Sequence, residues 1–341
     1  MEILNKILFF LLILCTITSS AVGMTVIQNT GPAILADLSD TSTTVVEIEF
    51  PFRDEIVSGE ITIHLSPYNG AKAQSAKSIP LFGYSPQQYY SAIANDPAQD
   101  EMYAELLGFF DGYAKEHNLT SDEYVELLTT YVQTIPYITV GAAVNFPIET
   151  VIENRGDCDD KSVLLSGLLA KSGYAAGVVV FSEENHMTAA IKEAETGQVI
   201  SSYILIETTR YAYIGENAAV IRSRTRNRTQ IREDSVILVG GGTAAYTVSW
   251  QVDAILEQRE RIVETIDSLS QEMRTLKSEI LDQETQLSQV YDPAVYEKYE
   301  KNLTSYNEYM ETCYACIDEL EMINTGSCSR EETYQMVASM M

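Results

Sequence analysis

The chain has 341 residues, 45 % of them apolar, enough to bury two or three packed units and too many for a disordered protein. Lysine and arginine total 22 against 49 acidic residues, and the resulting net charge of -27 repels phosphate backbones, which argues against nucleic acid as a partner. The three histidines, His64, His117 and His186, are scattered, and no Cys/His cluster has zinc spacing, so no histidine-rich metal site is expected.

Residues 1–23 read as an export signal: Lys6, an apolar run over 7–15, then small residues ending at Gly23. That run is short for a bilayer span, and an uncleaved anchor extended through Ile17 and Val22 is the alternative. Lipidation of Cys15 ranks last, because Leu14 before it is bulky. Export agrees with sequons at Asn118, Asn227 and Asn302 and with the acidic composition, so an extracellular or cell-surface protein is expected.

From residue 24 to 95 the texture is strand-like, with Val46, Ile48 and Phe50, then Ile61, Ile63 and Leu65, alternating with polar neighbours, and a β-rich unit is expected there. Two helices follow over 96–140, carrying Tyr103, Leu106, Leu107 and Phe110, then Tyr124, Leu127, Leu128 and Tyr131. They should roof the next segment. Residues 145–250 hold a helix after Cys158 and then strands over 176–181, 187–191, 203–207 and 235–239, an α+β layout. The run Gly240-Gly241-Gly242 reads as a flexible connector into a further strand over 246–250, and it lacks the Lys-Ser/Thr of a phosphate loop.

Beyond Trp250 apolar residues step by threes and fours from Val252 to Val290. Asp292-Pro293 breaks this helix, and a second seam runs from Val295 to Leu320. The two should fold back as an antiparallel, coiled-coil-like hairpin over 251–325, a surface for an envelope partner or self-association, followed by a tail over 326–341. Cys313 and Cys316 form a CxxC inside a helix, without the strand-to-helix setting of a redox pair; a disulfide from one of them to Cys328 would staple the tail to the hairpin. Arg222, Arg224, Arg226 and Arg228 alternate with Arg232 close behind, either a grip for an acidic substrate or a neutralising strip.

Chemistry concentrates after Asn154-Arg155-Gly156, where a turn delivers Cys158 to the first turn of a helix. Unpaired amides and the helix dipole there favour a thiolate. Asp157, Asp159 and Asp160 oppose it, although Asp159 and Asp160 are rotated away by about 100° per residue. His186, 28 residues on at the start of a strand, is the candidate base, and Glu207, ending the next strand, would orient its ring. On spacing alone a cysteine before a helix is more often a small buried residue.

Residues 124–216 resemble the transglutaminase-like superfamily of papain-like cysteine enzymes, most nearly archaeal transglutaminase-like domain proteins and more distantly bacterial transglutaminase-like cysteine proteinases. The resemblance rests on Val132-Gln133-Thr134-Ile135-Pro136-Tyr137, Phe146-Pro147-Ile148-Glu149-Thr150, Gly156-Asp157-Cys158-Asp159-Asp160-Lys161-Ser162, Gly173-Tyr174, His186-Met187 and Ile206-Glu207-Thr208-Thr209. It implies a papain/transglutaminase-like α+β core, the catalytic domain being 96–250, with Cys158 as nucleophile, His186 as base and then acid, and Glu207 where Asp is commoner. It also implies an oxyanion donor upstream, for which Gln133 is the candidate beside the Cys158 amide. By the same resemblance the three aspartates raise calcium, whereas acids at a helix start also simply complement its dipole. No organic cofactor is expected.

The expected function is an exported enzyme that acts on amide bonds of a protein or peptide through a Cys158 acyl-enzyme, with water as acceptor (peptidase or amidase) favoured over an amine (cross-linking). The alternative is a catalytically idle domain that serves as an envelope scaffold through its hairpin, and a third is an inhibitor-like or adhesion module on an archaeal surface.

Overall fold

The computed structural model describes residues 31–74, 77, 84–139, 143–194, 202–216, 231–326 and 328–340. The expected export signal, Asn227 and the arginines from Arg222 to Arg228 lie outside the described residues. Among the described residues, no helix is long and apolar enough to cross a membrane.

Alternating residues form two long strands, β1 (Thr43–Phe52) and β2 (Glu55–His64), paired antiparallel with Phe52 opposite Glu55. Val46, Ile48, Phe50 and Phe52 are buried on one face. The strand-like texture ends sooner than the sequence suggests, because two helices follow instead: α1 (Leu65–Ala73) and α2 (Pro86–Ala94). Ser85 and Gln88 form a capping box at α2, with Pro86 in its first turn. Next come α3 (Asp100–Glu116) and α4 (Ser121–Thr134), the second capped by Thr120 and Glu123. They match the two expected helices.

Then come α5 (Pro147–Glu153) and α6 (Cys158–Lys171), and a sheet of β3 (Ala175–Phe181), β4 (His186–Lys192), β5 (Ser202–Ile206), β6 (Ile231–Arg232) and β7 (Ile237–Gly241). Its order is β6-β5-β4-β3-β7, with every pairing antiparallel. Strand alternation sends Ala189, Ile191, Ile204 and Ile206 to the main core, and Ala190, Tyr203 and Leu205 to a smaller cluster on the other side. The main core joins the β1–β2 hairpin, α2 to α6 and one face of the sheet in one cluster. Leu164, Leu165, Leu168 and Leu169 of α6 are fully buried within it, each adding about 1.5–3 kcal/mol of apolar burial.

Two expectations near residue 245 are corrected. Gly240 and Gly241 belong to β7, and a Cβ on Gly240 or Gly242 would collide with Ala170 or with the backbone of Gly173, so the run is held at the sheet and does not form a loose connector. No strand follows: Tyr246 only bridges Glu193, and the next helix begins at Ser249.

That helix, α7 (Ser249–Gln289), is followed by α8 (Pro293–Thr325) and α9 (Arg330–Met340). The Asp292 side chain caps α8 through Ala294 N at 2.9 Å. The contacts Asn302–Glu279, Tyr299–Glu284 and Gln258–Glu319 run in opposite senses along the two chains, as an antiparallel pair requires. Cys313, Cys316 and Cys328 are free thiols, so no disulfide staples the tail. Arg330 Nε instead binds Glu126 Oε1 at 2.5 Å, and Val337 joins Val252, Ile255 and Ile323 in a third apolar cluster. The architecture is therefore mixed α+β, with two antiparallel sheets and a long C-terminal helical pair.

Candidate active site

The approach to Cys158 is held by backbone on both sides. Asn154 leaves α5 in a left-handed conformation (φ 45°). Gly156 N–H then donates to Pro136 O at 3.2 Å, and Gly156 O accepts from Ile138 N at 3.1 Å. A Cβ at Gly156 would lie 2.8 Å from that of Asp160, which is why this position takes glycine. Asp160, 1 % exposed, accepts from Asn145 N (2.6 Å), Asn145 Nδ2 (2.9 Å) and Asp157 N (3.3 Å), tying the loop before α5 to the start of α6. Cys158 thus occupies the first turn of α6, half-buried.

His186 opens β4 after a loop ending in left-handed Asn185. Ala189 pairs with Ile206, so the register carried to the strand ends makes Glu207 a diagonal neighbour of His186 on one face. His186 Nε2 lies 2.9 Å from Glu207 Oε2. The Cys158 side chain is the neighbour that acts most strongly on the same ring, and with Nε2 engaged by Glu207, Nδ1 is the nitrogen left to face it. Ser162, one turn after Cys158, donates to Met187 O at 3.2 Å and meets Thr208 Oγ1 at 3.1 Å, so α6 is fastened to the two chain segments that carry His186 and Glu207.

The neighbouring Cys158 side chain is the largest influence on His186 and, with the hydrogen bond to Glu207, overcomes burial and raises the imidazole to about 10. Burial pushes the Glu207 carboxyl up, but His186 and two donors from Thr209, N–H at 2.8 Å and Oγ1 at 2.6 Å, outweigh it and hold the group at about 2. At neutral pH the pair is therefore an imidazolium on a buried carboxylate.

Cys158, His186 and Glu207, the three residues expected to act together, are thus adjacent. Gln133 is not available as the expected oxyanion donor: its Nε2 donates to Glu207 O at 2.8 Å and Ala212 O at 2.9 Å, which uses both N–H groups. It braces the segment after β5 instead. Sequence reasoning also missed Lys161. This residue is fully buried, and its Nζ caps the end of α4 by donating to Gln133 O at 3.2 Å and Ile135 O at 2.7 Å; burial lowers it to about 8. Tyr90 and Tyr137 lie within the field of Cys158, and Tyr90 is raised to about 12, by burial first. Nothing in the chain near Cys158 signals Tyr90, which comes from α2.

Among the described residues, Asp157, Asp159 and Asp160 bring one carboxylate oxygen each within 4.8 Å of one another, an arrangement that could hold a cation. Burial, reinforced by its neighbours, raises Asp159 to about 8, and burial raises Asp160 to about 6, so protons relieve the mutual repulsion. The oxygens of Asp160 already accept three N–H bonds.

No protein-family model, curated protein or solved structure matches the chain.

Proposed function

We propose that the chain is a transglutaminase-like cysteine enzyme with a papain-like core, acting on amide bonds of a protein or peptide. The observation that carries this reading is His186 held between the Cys158 thiol and the buried Glu207 carboxylate, with the nucleophile at a helix start. The thiolate, its proton resting on His186, attacks the carbonyl carbon, and the Cys158 amide at the helix start faces the developing oxyanion. Collapse breaks the C–N bond as His186 passes its proton to the leaving amine, giving a thioester. Water, deprotonated by His186, then attacks the thioester, releasing the acid and returning the thiol. An amine in place of water would give cross-linking; hydrolysis is favoured by the family resemblance. Glu207 fixes the ring and stays ionised throughout.

The test is the rate of iodoacetamide labelling at Cys158 against pH, with Cys313, Cys316 and Cys328 as internal references. Cys158 is expected to label at least about tenfold faster than the others near pH 6, and His186→Ala to remove that advantage. Labelling at the reference rate, indifferent to His186, would sink the reading.

A second reading follows from α7, α8 and the turn between them, where Leu281 and Tyr314 on the helices and Val290 and Tyr291 in the turn are more than half exposed. This pair is proposed as a self-association surface, independent of whether the core is active. Sedimentation of the full chain checks it: a monomer at all accessible concentrations removes this reading. The acidic composition and the leader-like residues 1–23 support an exported location.

A further inference from the structure

The short strip of chain after α4 is pinned at three points. Lys161 Nζ donates to Ile135 O at 2.7 Å, Gly156 N–H donates to Pro136 O at 3.2 Å, and Ile138 N–H donates to Gly156 O at 3.1 Å, which makes a parallel bridge between Tyr137 and Gly156. In such a bridge the bonds come from the residues before and after Tyr137, so its own N–H and C=O point to the opposite edge. Among the described residues neither group has a hydrogen-bond partner. The strip faces solvent: residues 136–139 are all exposed, Tyr137 by 52 % and Ile138 by 45 %. An unpaired edge is a template for another extended chain, and one that is already held still loses little freedom when that chain arrives. Because the bridge is parallel, the strip runs in the same direction as Gly156-Asp157-Cys158, and Cys158 lies two residues, about 7 Å of strand rise, beyond the level of Tyr137. The Tyr137 ring lies within the field of Cys158.

We infer that the N–H and C=O of Tyr137 pair with the backbone of an extended peptide, so that the substrate is an extended polypeptide segment held through its main chain beside Cys158. The inference rests on the reading of Cys158 as the nucleophile of an amide-cleaving enzyme. Main-chain bonds fix the register of the bound segment and are blind to its side chains, so the site tolerates many sequences. A helix or a paired strand has no free backbone groups to offer, which excludes folded elements and selects loops, termini and unfolded chains.

The experiment alkylates the full chain with iodoacetyl-Ala-Phe-Ala-amide and with acetyl-Ala-Phe-Ala-chloromethyl ketone, which carry the peptide in opposite directions from the reactive carbon. Iodoacetamide and chloroacetone are the matching reagents without a peptide, and mass spectrometry reads Cys158 against Cys316 and Cys328. For at least one peptide, the ratio of its rate to that of the small reagent should be at least about tenfold larger at Cys158 than at the reference cysteines. N-methylation of the peptide's backbone amides, which blocks strand pairing on the wild-type protein, should bring that advantage to within about twofold. Tyr137→Pro, which deletes the outward N–H and leaves both bonds to Gly156, should do the same, whereas Tyr137→Ala keeps the main-chain groups and should keep the advantage. No advantage for either peptide would overturn the inference, as would equal acceleration by the N-methylated peptides or a loss in Tyr137→Ala as large as in Tyr137→Pro, which would assign the effect to the ring. The ratio cancels the intrinsic reactivity of the thiol, so this outcome is separate from the rate with iodoacetamide alone, which decides whether Cys158 is a nucleophile.

Discussion

The surroundings of Cys158 and the α7–α8 pair are both rich in ionisable residues, and they handle them in opposite ways. Around Cys158, Glu149, Asp160, Lys161 and Glu207 are at most 2 % exposed, and each is bound by identified partners: Lys77 Nζ on Glu149 at 2.6 Å, Asn145 on Asp160, carbonyls on Lys161, His186 and Thr209 on Glu207. In α7 and α8 the charges are mostly solvated, and beyond the start of α7, where Ser249 and Gln251 are also buried, burial is confined to a few apolar positions such as Ile262, Ile280 and Ile323. Burying an ion costs several kcal/mol unless its bonds are replaced. The fold accepts that cost where a side chain must stay in one place. It avoids it where two helices need only lie side by side.

If that contrast is about chemistry, the largest effects belong to the ring between Cys158 and Glu207. His186→Ala is expected to lower any amide-cleaving activity by about 10³–10⁴-fold, and Glu207→Gln, which keeps the size but not the charge, by at least about tenfold. Each also removes one partner of a buried pair, so a loss of about 3–5 kcal/mol in stability is expected as well, and activity is compared at temperatures where both variants are folded. Activity surviving His186→Ala would break the comparison, because the buried charges would then be scaffolding alone.

Stability is the next level. Leu165→Ala, at a fully buried position of α6, should cost about 2–5 kcal/mol in urea unfolding. Lys161→Met keeps the chain length but frees the carbonyls of Gln133 and Ile135, at about 1–3 kcal/mol for each carbonyl left without a partner. A Lys161→Met protein as stable as the wild type would show that the buried ammonium is dispensable to the fold.

Much of the first region was legible in the chain because its signals are local. A glycine turn before an apolar helix pattern places Cys158, and strand alternation places His186 and Glu207 at strand ends that β-pairing brings together. Gln133 was misread for a physical reason: whether an amide is free depends on which carbonyls fold against it, and Glu207 O and Ala212 O are 74 and 79 residues away. Lys161 escaped for the same reason, since a lysine in a helix ordinarily reads as solvated. The helical pair was legible throughout its length, because the apolar steps are its whole specification. The β-rich reading of residues 24–95 overran at Leu65, where strand-like alternation stops marking strands and capping at Ser85 takes over.

The acids sharpen the comparison through pH. Asp159 and Asp160, raised to about 8 and about 6, bind protons more tightly in the native state than in the unfolded chain. The native state therefore holds more protons between about pH 4 and 8, and stability falls as pH rises across that window. His186, raised to about 10, acts in the same sense: its contribution is complete below about pH 6.5 and is lost as pH rises through 10. Glu207, held at about 2, opposes them only at low pH, its contribution being present above about pH 4.5 and lost as pH falls through 2. Urea midpoints should be highest near about pH 4 to 4.5 and decline to pH 9, and Asp159→Asn should flatten the part of that decline below about pH 8. A midpoint that rises from pH 5 to 9 would contradict the assigned proton binding.

The smallest effects belong to the helical pair, where neighbouring residues separate packing from surface. Ile280 is 9 % exposed and Leu281 is 54 % exposed, although they are adjacent on α7, because one helical step turns a side chain about 100° from the seam. Ile280→Ala should cost about 1–2 kcal/mol, below the range of a fully buried position because only one facing helix closes over it, and Leu281→Ala should stay within about 0.5 kcal/mol. Leu281 is also among the exposed apolar residues of the proposed self-association surface. If Leu281→Ala costs as much as Ile280→Ala at high protein concentration and nothing on dilution, the pair's outer face is covered by a second copy. The contrast between a buried site and a solvated hairpin would then describe only the isolated chain.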